Sequence, residues 1–144
     1  MITRYITEQI KANFFKGKAI IITGPRQSGK TTLINYILQD YANEYYFFNG
    51  DEPDVRDIFT GITSSRLKSL IGNKRIVFID EAQRLNDIGI AIKLLVDNYP
   101  EIQVIASSSS ALDLAGKIKE PLTGRIYQYQ LYPQQNRPRS GQYL

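Results

Sequence analysis

The chain is 144 residues long, carries a formal net charge of +4, and contains no cysteine and no histidine. That length fits one domain with a core of its own. The missing side chains exclude disulfides, thiolate nucleophiles and zinc-type sites, so any metal must be a hard ion held by oxygens, which points to Mg2+.

Hydrophobic residues at 42% and charged residues at 22% are ordinary for a globular protein and argue against wholesale disorder. The apolar run Ala19-Ile20-Ile21-Ile22 is far too short to span a bilayer. "MITRYITEQIKANFF" lacks a secretory apolar region and a small-residue cleavage site, so the cytoplasm is the expected address. The positive surplus collects at the two ends of the chain. It admits nucleic acid as a partner, but no basic run with interleaved aromatics supports that reading.

Along the chain, Ile2, Ile6, Ile10 and Phe14 stand four apart, which predicts an amphipathic helix over 2–14 ended by Gly17. "KAIII" is a short, continuously apolar run, as expected of a strand buried on both faces. Leu33, Ile34, Ile37, Leu38 and Tyr41 keep helical spacing, and "YYFF" (45–48) reads as a second strand broken by "NGDEP". Leu67, Leu70 and Ile71 predict a helix closed by Gly72-Asn73, and "RIVFID" (75–80) a third strand. Ile88, Ala91, Ile92, Leu95, Val96 and Tyr99 share one helical face that Pro100 ends. A fourth strand over 102–107, a short helix over 113–119 and a fifth strand over 126–132 complete the order. Strands alternating with helices predict an α/β fold: three layers, with a five-stranded, mostly parallel sheet and helices on both faces. Residues 1–133 are expected to form this domain. Residues 134–144, without periodicity and with two arginines and a proline, read as a disordered or aberrant tail.

Behind the first strand, Gly24-Pro25-Arg26-Gln27-Ser28-Gly29-Lys30-Thr31 matches G-x-x-x-x-G-K-[ST], the P-loop pattern. Its glycines let the backbone N–H groups curl inward at phosphate oxygens, and the following helix, which includes Thr32, presents its positive end there. Lys30 is placed to reach the outer phosphates, and the Thr31 hydroxyl to ligate Mg2+. Further on, "RIVFIDEAQR" ends an apolar strand in two acids. Asp80 is then a metal ligand, and Glu81 the carboxylate that polarises an attacking water. The plainer alternative makes Asp80 a turn cap and Glu81 a solvated charge.

"TGPRQSGKTTL", "DEPDVR", "FIDEAQR" and "SSSALDLAGKIKEPLTGR", in this order over residues 4–133, resemble the AAA-type domain of a prokaryotic ATP-binding family. Members of that family usually continue into a C-terminal domain of poorly defined function. The resemblance implies an additional-strand P-loop core, with the P-loop strand central and the acid-bearing strand not its neighbour. It implies ATP rather than GTP. It places a polar sensor residue in Ser107-Ser108-Ser109-Ser110, at Ser108, where relatives look more like glycine. It also makes Arg125 of "LTGR" an arginine finger acting on a neighbouring subunit, hence a homo-oligomer; an ordinary surface salt bridge is the alternative. Arg4 and Tyr5 fall where the adenine would lie, with core packing the alternative for Tyr5. Asp51, Glu52, Asp54 and Asp57 either border the site or make a solvated helix start. The chain reads as the N-terminal core only, without a lid, leaving a missing C-terminal domain or partner protein.

The expected function is ATP binding with Mg2+-dependent hydrolysis. The alternatives are a nucleotide-gated switch with little turnover, a remnant that folds without working, and a phosphotransferase that would need an acceptor pocket.

Overall fold

The computed structural model describes residues 2–25 and 28–132. Arg26 and Gln27 of the loop and the expected tail 134–144 lie outside the described residues. Five strands, β1 (Ala19–Thr23), β2 (Tyr45–Asn49), β3 (Ile76–Asp80), β4 (Gln103–Ser108) and β5 (Ile126–Gln130), form one sheet in the order β2-β3-β4-β1-β5. Every neighbouring pair is parallel, so the sheet is wholly rather than mostly parallel. β1 is interior, between β4 and β5, while β4 takes the middle place. The acid-bearing β3 is separated from β1 by β4, as the resemblance implied.

Burial follows from this order. β1 and β4 are buried along their whole length; β1 reads as an apolar run, whereas β4 also buries Gln103, Ser107 and Ser108. Alternate residues of the strands feed two cores. On one face Ile20, Ile22, Ile76, Phe78 and Ile105 meet helices α1 (Ile2–Ala12) and α2 (Lys30–Leu38). On the other, Ile21, Phe48, Val77, Ile79 and Val104 meet α3 (Pro53–Phe59), α4 (Ser64–Ile71), α5 (Ile88–Asn98) and α6 (Ala111–Ile118). Each fully buried aliphatic side chain is worth about 1.5–3 kcal/mol against exposure, so the two layers hold the sheet from both sides.

Local chemistry sets the helix ends. Thr63 caps α4 by accepting from the Arg66 N–H at 3.2 Å, and Ser110 caps α6 by accepting from Asp113 at 3.2 Å. Pro53 opens α3, where its missing N–H costs nothing. Two boundaries differ from the periodicity. α1 stops at Ala12, because Phe15 turns left-handed at φ 59, and Phe14 joins the core from the turn. α2 ends at Leu38 and tightens into a 3-10 turn, Gln39–Tyr41, which keeps Tyr41 against the same core.

Ile21→Ala, at a side chain with 0% exposure, is expected to lower stability by about 2–5 kcal/mol in urea unfolding. Ile90→Ser, at a side chain 52% exposed on α5, is expected to stay within about 0.5 kcal/mol of the parent.

Candidate functional site

The loop between β1 and α2 sits at the edge of the sheet where all five strands end. The Gly24 N–H donates to the Ser108 carbonyl at 3.1 Å, and the Ser28 N–H closes a turn on the Pro25 carbonyl at 3.2 Å. A Cβ on Gly24 would lie 2.7 Å from Ser28 Oγ and 3.1 Å from Leu131 Cβ, so only glycine fits there. Gly29 caps α2 in the left-handed region, φ 88, a conformation that a side chain disfavours. No side chain among the described residues caps the helix start by a hydrogen bond, and Thr31 and Thr32 stand exposed in its first turn, as does Pro25 before it.

Lys30 is only 7% exposed and forms no ion pair among the described residues. A buried ammonium requires a counter-charge. Nearby in the chain, Thr23 Oγ1 and Ser28 Oγ are buried without a hydrogen-bond partner among the described residues. An unpaired cation, two unpaired hydroxyls and a helix N-terminus make a polar cradle whose chemistry fits an anionic phosphate group.

The acids stand at the end of β3. Asp80 Oδ1 accepts from the Ser107 hydroxyl at 2.6 Å and from the Glu81 N–H at 3.0 Å, and its second oxygen accepts nothing from the described residues. Asp80 and Thr31 line one cavity of about 200 Å3 together with Phe47 and Phe78. The carboxylate and the hydroxyl are hard oxygen ligands, which suits Mg2+. Among the described residues no group of three or more acids could hold a metal ion unaided, so phosphate oxygens would have to complete the ligand set.

Glu81 turns left-handed at φ 50, ψ 48, uncommon for a residue with a side chain. Gly50 makes room for that turn. Its N–H donates to the Asp80 carbonyl at 2.7 Å, and a Cβ there would overlap the Glu81 carbonyl oxygen and lie 2.9 Å from that of Asp80. The Glu81 carboxylate accepts through Oε1 from Gln83 Nε2 and from Ser109 Oγ, both at 2.8 Å. Burial pushes its pKa up, but those two hydrogen bonds and the charge of Lys30 outweigh burial and hold it below the ordinary value. At neutral pH Glu81 is therefore an anchored carboxylate, not a loosely solvated charge.

The structure brings Ser107 and Ser109, not Ser108, to the acids. Ser108 is fully buried and its hydroxyl bonds the Ser110 carbonyl at 2.9 Å and N–H at 3.0 Å, capping its own turn. It shows no positive φ, so the position makes no demand for glycine. Ser107, Ser109 and Gln83 were not singled out individually in the sequence. The alternation of a strand, which sends 107 and 109 the same way, was the available signal.

Arg125 stands at the other edge. Its carbonyl accepts from the Ala19 N–H at 2.9 Å, at the start of β1, about 16 Å of strand away from the loop. Its guanidinium grips Asp97 of α5 through two bonds of 2.9 and 3.2 Å, which draws the Asp97 carboxyl below the usual range. It cannot serve the phosphate site of its own chain. Tyr5 is 55% exposed on α1 and does not pack in the core. Of the acids after β2, Asp51 pairs with Arg84 at 3.2 Å, and Glu52, Asp54 and Asp57 are solvent-exposed about α3.

A family model described as an AAA domain matches residues 16–137. The chain belongs to that AAA domain family. An uncharacterized protein of Mycobacterium tuberculosis is 31% identical over 120 residues, which cover 82% of this chain and 26% of that protein. The replication factor C large subunit of Methanococcus maripaludis (strain C5) is 34% identical over 73 residues, 49% of this chain and 15% of that one. The chain thus spans about a quarter, or less, of the length of these curated relatives. Among solved structures, the Walker-type ATPase of Pyrococcus abyssi superposes with a TM-score of 0.59 at 18% identity, over 92% of this chain and 52% of that one. A chain of Drosophila ORC bound to DNA superposes with a TM-score of 0.65 at 14% identity, over 96% and 93%. These likenesses establish the three-layer P-loop fold. Membership of the AAA domain family is consistent with ATP binding at the Gly24–Thr31 loop.

Gly50→Ala should displace the Glu81 turn and cost about 1–3 kcal/mol in denaturant unfolding. Gly116→Ala, inside α6 with nothing within 4 Å, should be neutral or stabilise this AAA domain by up to about 1 kcal/mol.

Proposed function

We propose that the AAA domain binds ATP with Mg2+ and hydrolyses the bond to the γ-phosphate. The observation that supports this best is that one sheet edge carries both a buried Lys30, without an ion pair among the described residues, and the anchored carboxylate of Glu81, which feels its charge. Lys30, Ser28 and the loop N–H groups would take the phosphates. Thr31 and Asp80 would hold Mg2+, which when bound neutralises charge on the phosphate oxygens. Glu81 accepts a proton from a water as that water's oxygen bonds to the γ-phosphorus. The bond from that phosphorus to the bridging oxygen then breaks, and ADP and phosphate leave. Lys30 faces the charge that spreads over the phosphate oxygens.

Arg125 would act only across an interface, on the site of a second copy, after leaving Asp97. No described helix is long and apolar enough to cross a membrane, and the cytoplasm is the address we infer. Nucleic acid and a larger assembly are proposed by analogy with the ORC structure bound to DNA and the replication factor C large subunit, and a further C-terminal domain from the family resemblance.

A nucleotide-gated switch with little turnover is the second reading. One observation favours it: Asp97 holds Arg125.

ATP turnover by the purified chain, with and without Mg2+, tests the choice. Glu81→Gln is expected to lower kcat by about 100-fold or more with ATP affinity retained. Binding without Mg2+-dependent turnover would leave the switch. Lys30→Ala is expected to abolish the ATP-dependent rise in Tm, and an unchanged rise would remove the phosphate assignment. Arg125→Ala should lower turnover while keeping binding, and should do so only at protein concentrations where copies associate. An equal rate at all concentrations would rule out a finger acting across subunits.

A further inference from the structure

Three side chains from two separate segments meet around one oxygen of Glu81. Gln83 Nε2 lies 2.8 Å from Glu81 Oε1 and 3.3 Å from Ser109 Oγ, and Ser109 Oγ lies 2.8 Å from the same Oε1. The directions within this triangle follow from donor inventories. A carboxylate only accepts, so the single proton of Ser109 goes to Glu81, and the serine oxygen accepts from the Gln83 amide. The amide orientation follows too: reversed, a carbonyl oxygen would press against the carboxylate. The Ser109 backbone N–H also faces the Glu81 carboxylate, and no side chain among the described residues donates to Oε2.

The triangle is built on a rigid frame. The Gln83 carbonyl accepts from Lys117 Nζ at 2.5 Å, and Lys117 also reaches the Leu85 carbonyl at 3.3 Å. Lys117 belongs to α6, whose N-cap is Ser110, the residue after Ser109. One helix thus ties down both the turn that carries Gln83 and the loop that carries Ser109. The left-handed backbone of Glu81, made room for by Gly50, adds a third restraint.

We propose that Gln83 is a positioning residue for Glu81: with Ser109 it occupies Oε1, so that Oε2 alone takes the proton of the attacking water. The proposal rests on the hydrolytic reading above. A glutamate has three rotatable side-chain bonds, and a base that wanders by an ångström loses on the order of 100-fold in rate. Fixing one oxygen aims the other. Gln83 Oε1 is buried without a partner among the described residues, a cost to the fold set against the two bonds that its Nε2 donates. An apolar side chain of the same length would remove that cost.

Gln83→Met makes this change. Its kcat for ATP should fall about 10- to 100-fold, while KM and the Kd of a non-hydrolysable ATP analogue stay within about twofold. Its Tm without nucleotide should equal or exceed that of the parent, whereas a merely structural glutamine would lower it. Ser109→Ala should repeat the kinetic pattern and Ser109→Thr should restore it, which keeps the test decisive if Gln83→Met folds poorly. In a Glu81→Gln background, Gln83→Met should cause no further loss, since it acts through Glu81.

Unchanged kcat in both Gln83→Met and Ser109→Ala would overturn the proposal. So would a further loss of equal size in the Glu81→Gln background, or a fall in kcat matched by weaker analogue binding. If the parent turns over ATP and Glu81→Gln does not, those results count against Gln83 alone. A parent chain without Mg2+-dependent turnover would overturn the hydrolytic reading and this proposal with it.

Discussion

Parallel pairing is the constraint from which the site follows. Because β1 to β5 all run the same way, the segment after each strand emerges at one edge, and the segment before each at the other. The loop after β1, the acids after β3 and the serines after β4 meet there although up to about eighty residues of chain separate them. The pairing is itself held by burial: β1 and β4 lie under two helical layers and offer no face to water. Misregister β1 and β4 by one residue, and the sides on which Ile20 and Ile21 pack would exchange. The site is therefore as firmly placed as the core is.

That edge also concentrates the costs. Glu81 holds a left-handed backbone, and among the described residues Thr23 and Ser28 leave hydroxyls unpaired, Lys30 is a buried cation without an ion pair, and Gln83 leaves a carbonyl unsatisfied. Away from these strand ends, Gln9 Oε1 on α1 is also without a partner among the described residues, but the buried amide at the other edge of the sheet is fully served. Gln103, at the opposite edge, accepts from the Phe15 N–H at 2.6 Å and donates to the Lys18 carbonyl at 3.0 Å and the Val104 carbonyl at 2.9 Å. One of two buried polar clusters in the same sheet is fully satisfied and the other is not. The incomplete one is where a phosphate-bearing ligand would supply the missing partners.

Arg125 shows the same constraint in reverse. It precedes β5, so it must emerge at the edge away from the phosphate loop, whatever its role. Asp97 of α5 meets it there, and the pair is partly exposed, a contact worth little to stability and easily exchanged for another anion. A role for this arginine in catalysis therefore depends on a second molecule, and topology rather than side-chain chemistry imposes that dependence.

Much of this was legible in the chain. The unbroken apolar run at 19–22 announced a strand buried on both faces, and the glycines, Lys30 and Thr31 announced the phosphate loop by spacing alone. Asp80 and Glu81 could be placed at a strand end because a hydrophobic run of strand length stops at them. These are local properties, carried by neighbours along the chain. Which serine faces which acid is not local. Ser107 on Asp80, Ser109 and Gln83 on Glu81, and Gly50 beneath the Glu81 turn depend on the lateral order of β2, β3 and β4 and on the backbone twist of one residue. Composition and periodicity carry no record of those distances. The sequence by itself determined a parallel α/β domain with a phosphate loop and two acids. Only the tertiary structure decided which oxygen of Glu81 is held by side chains and which is not, because that depends on contacts between segments that meet only when the sheet closes.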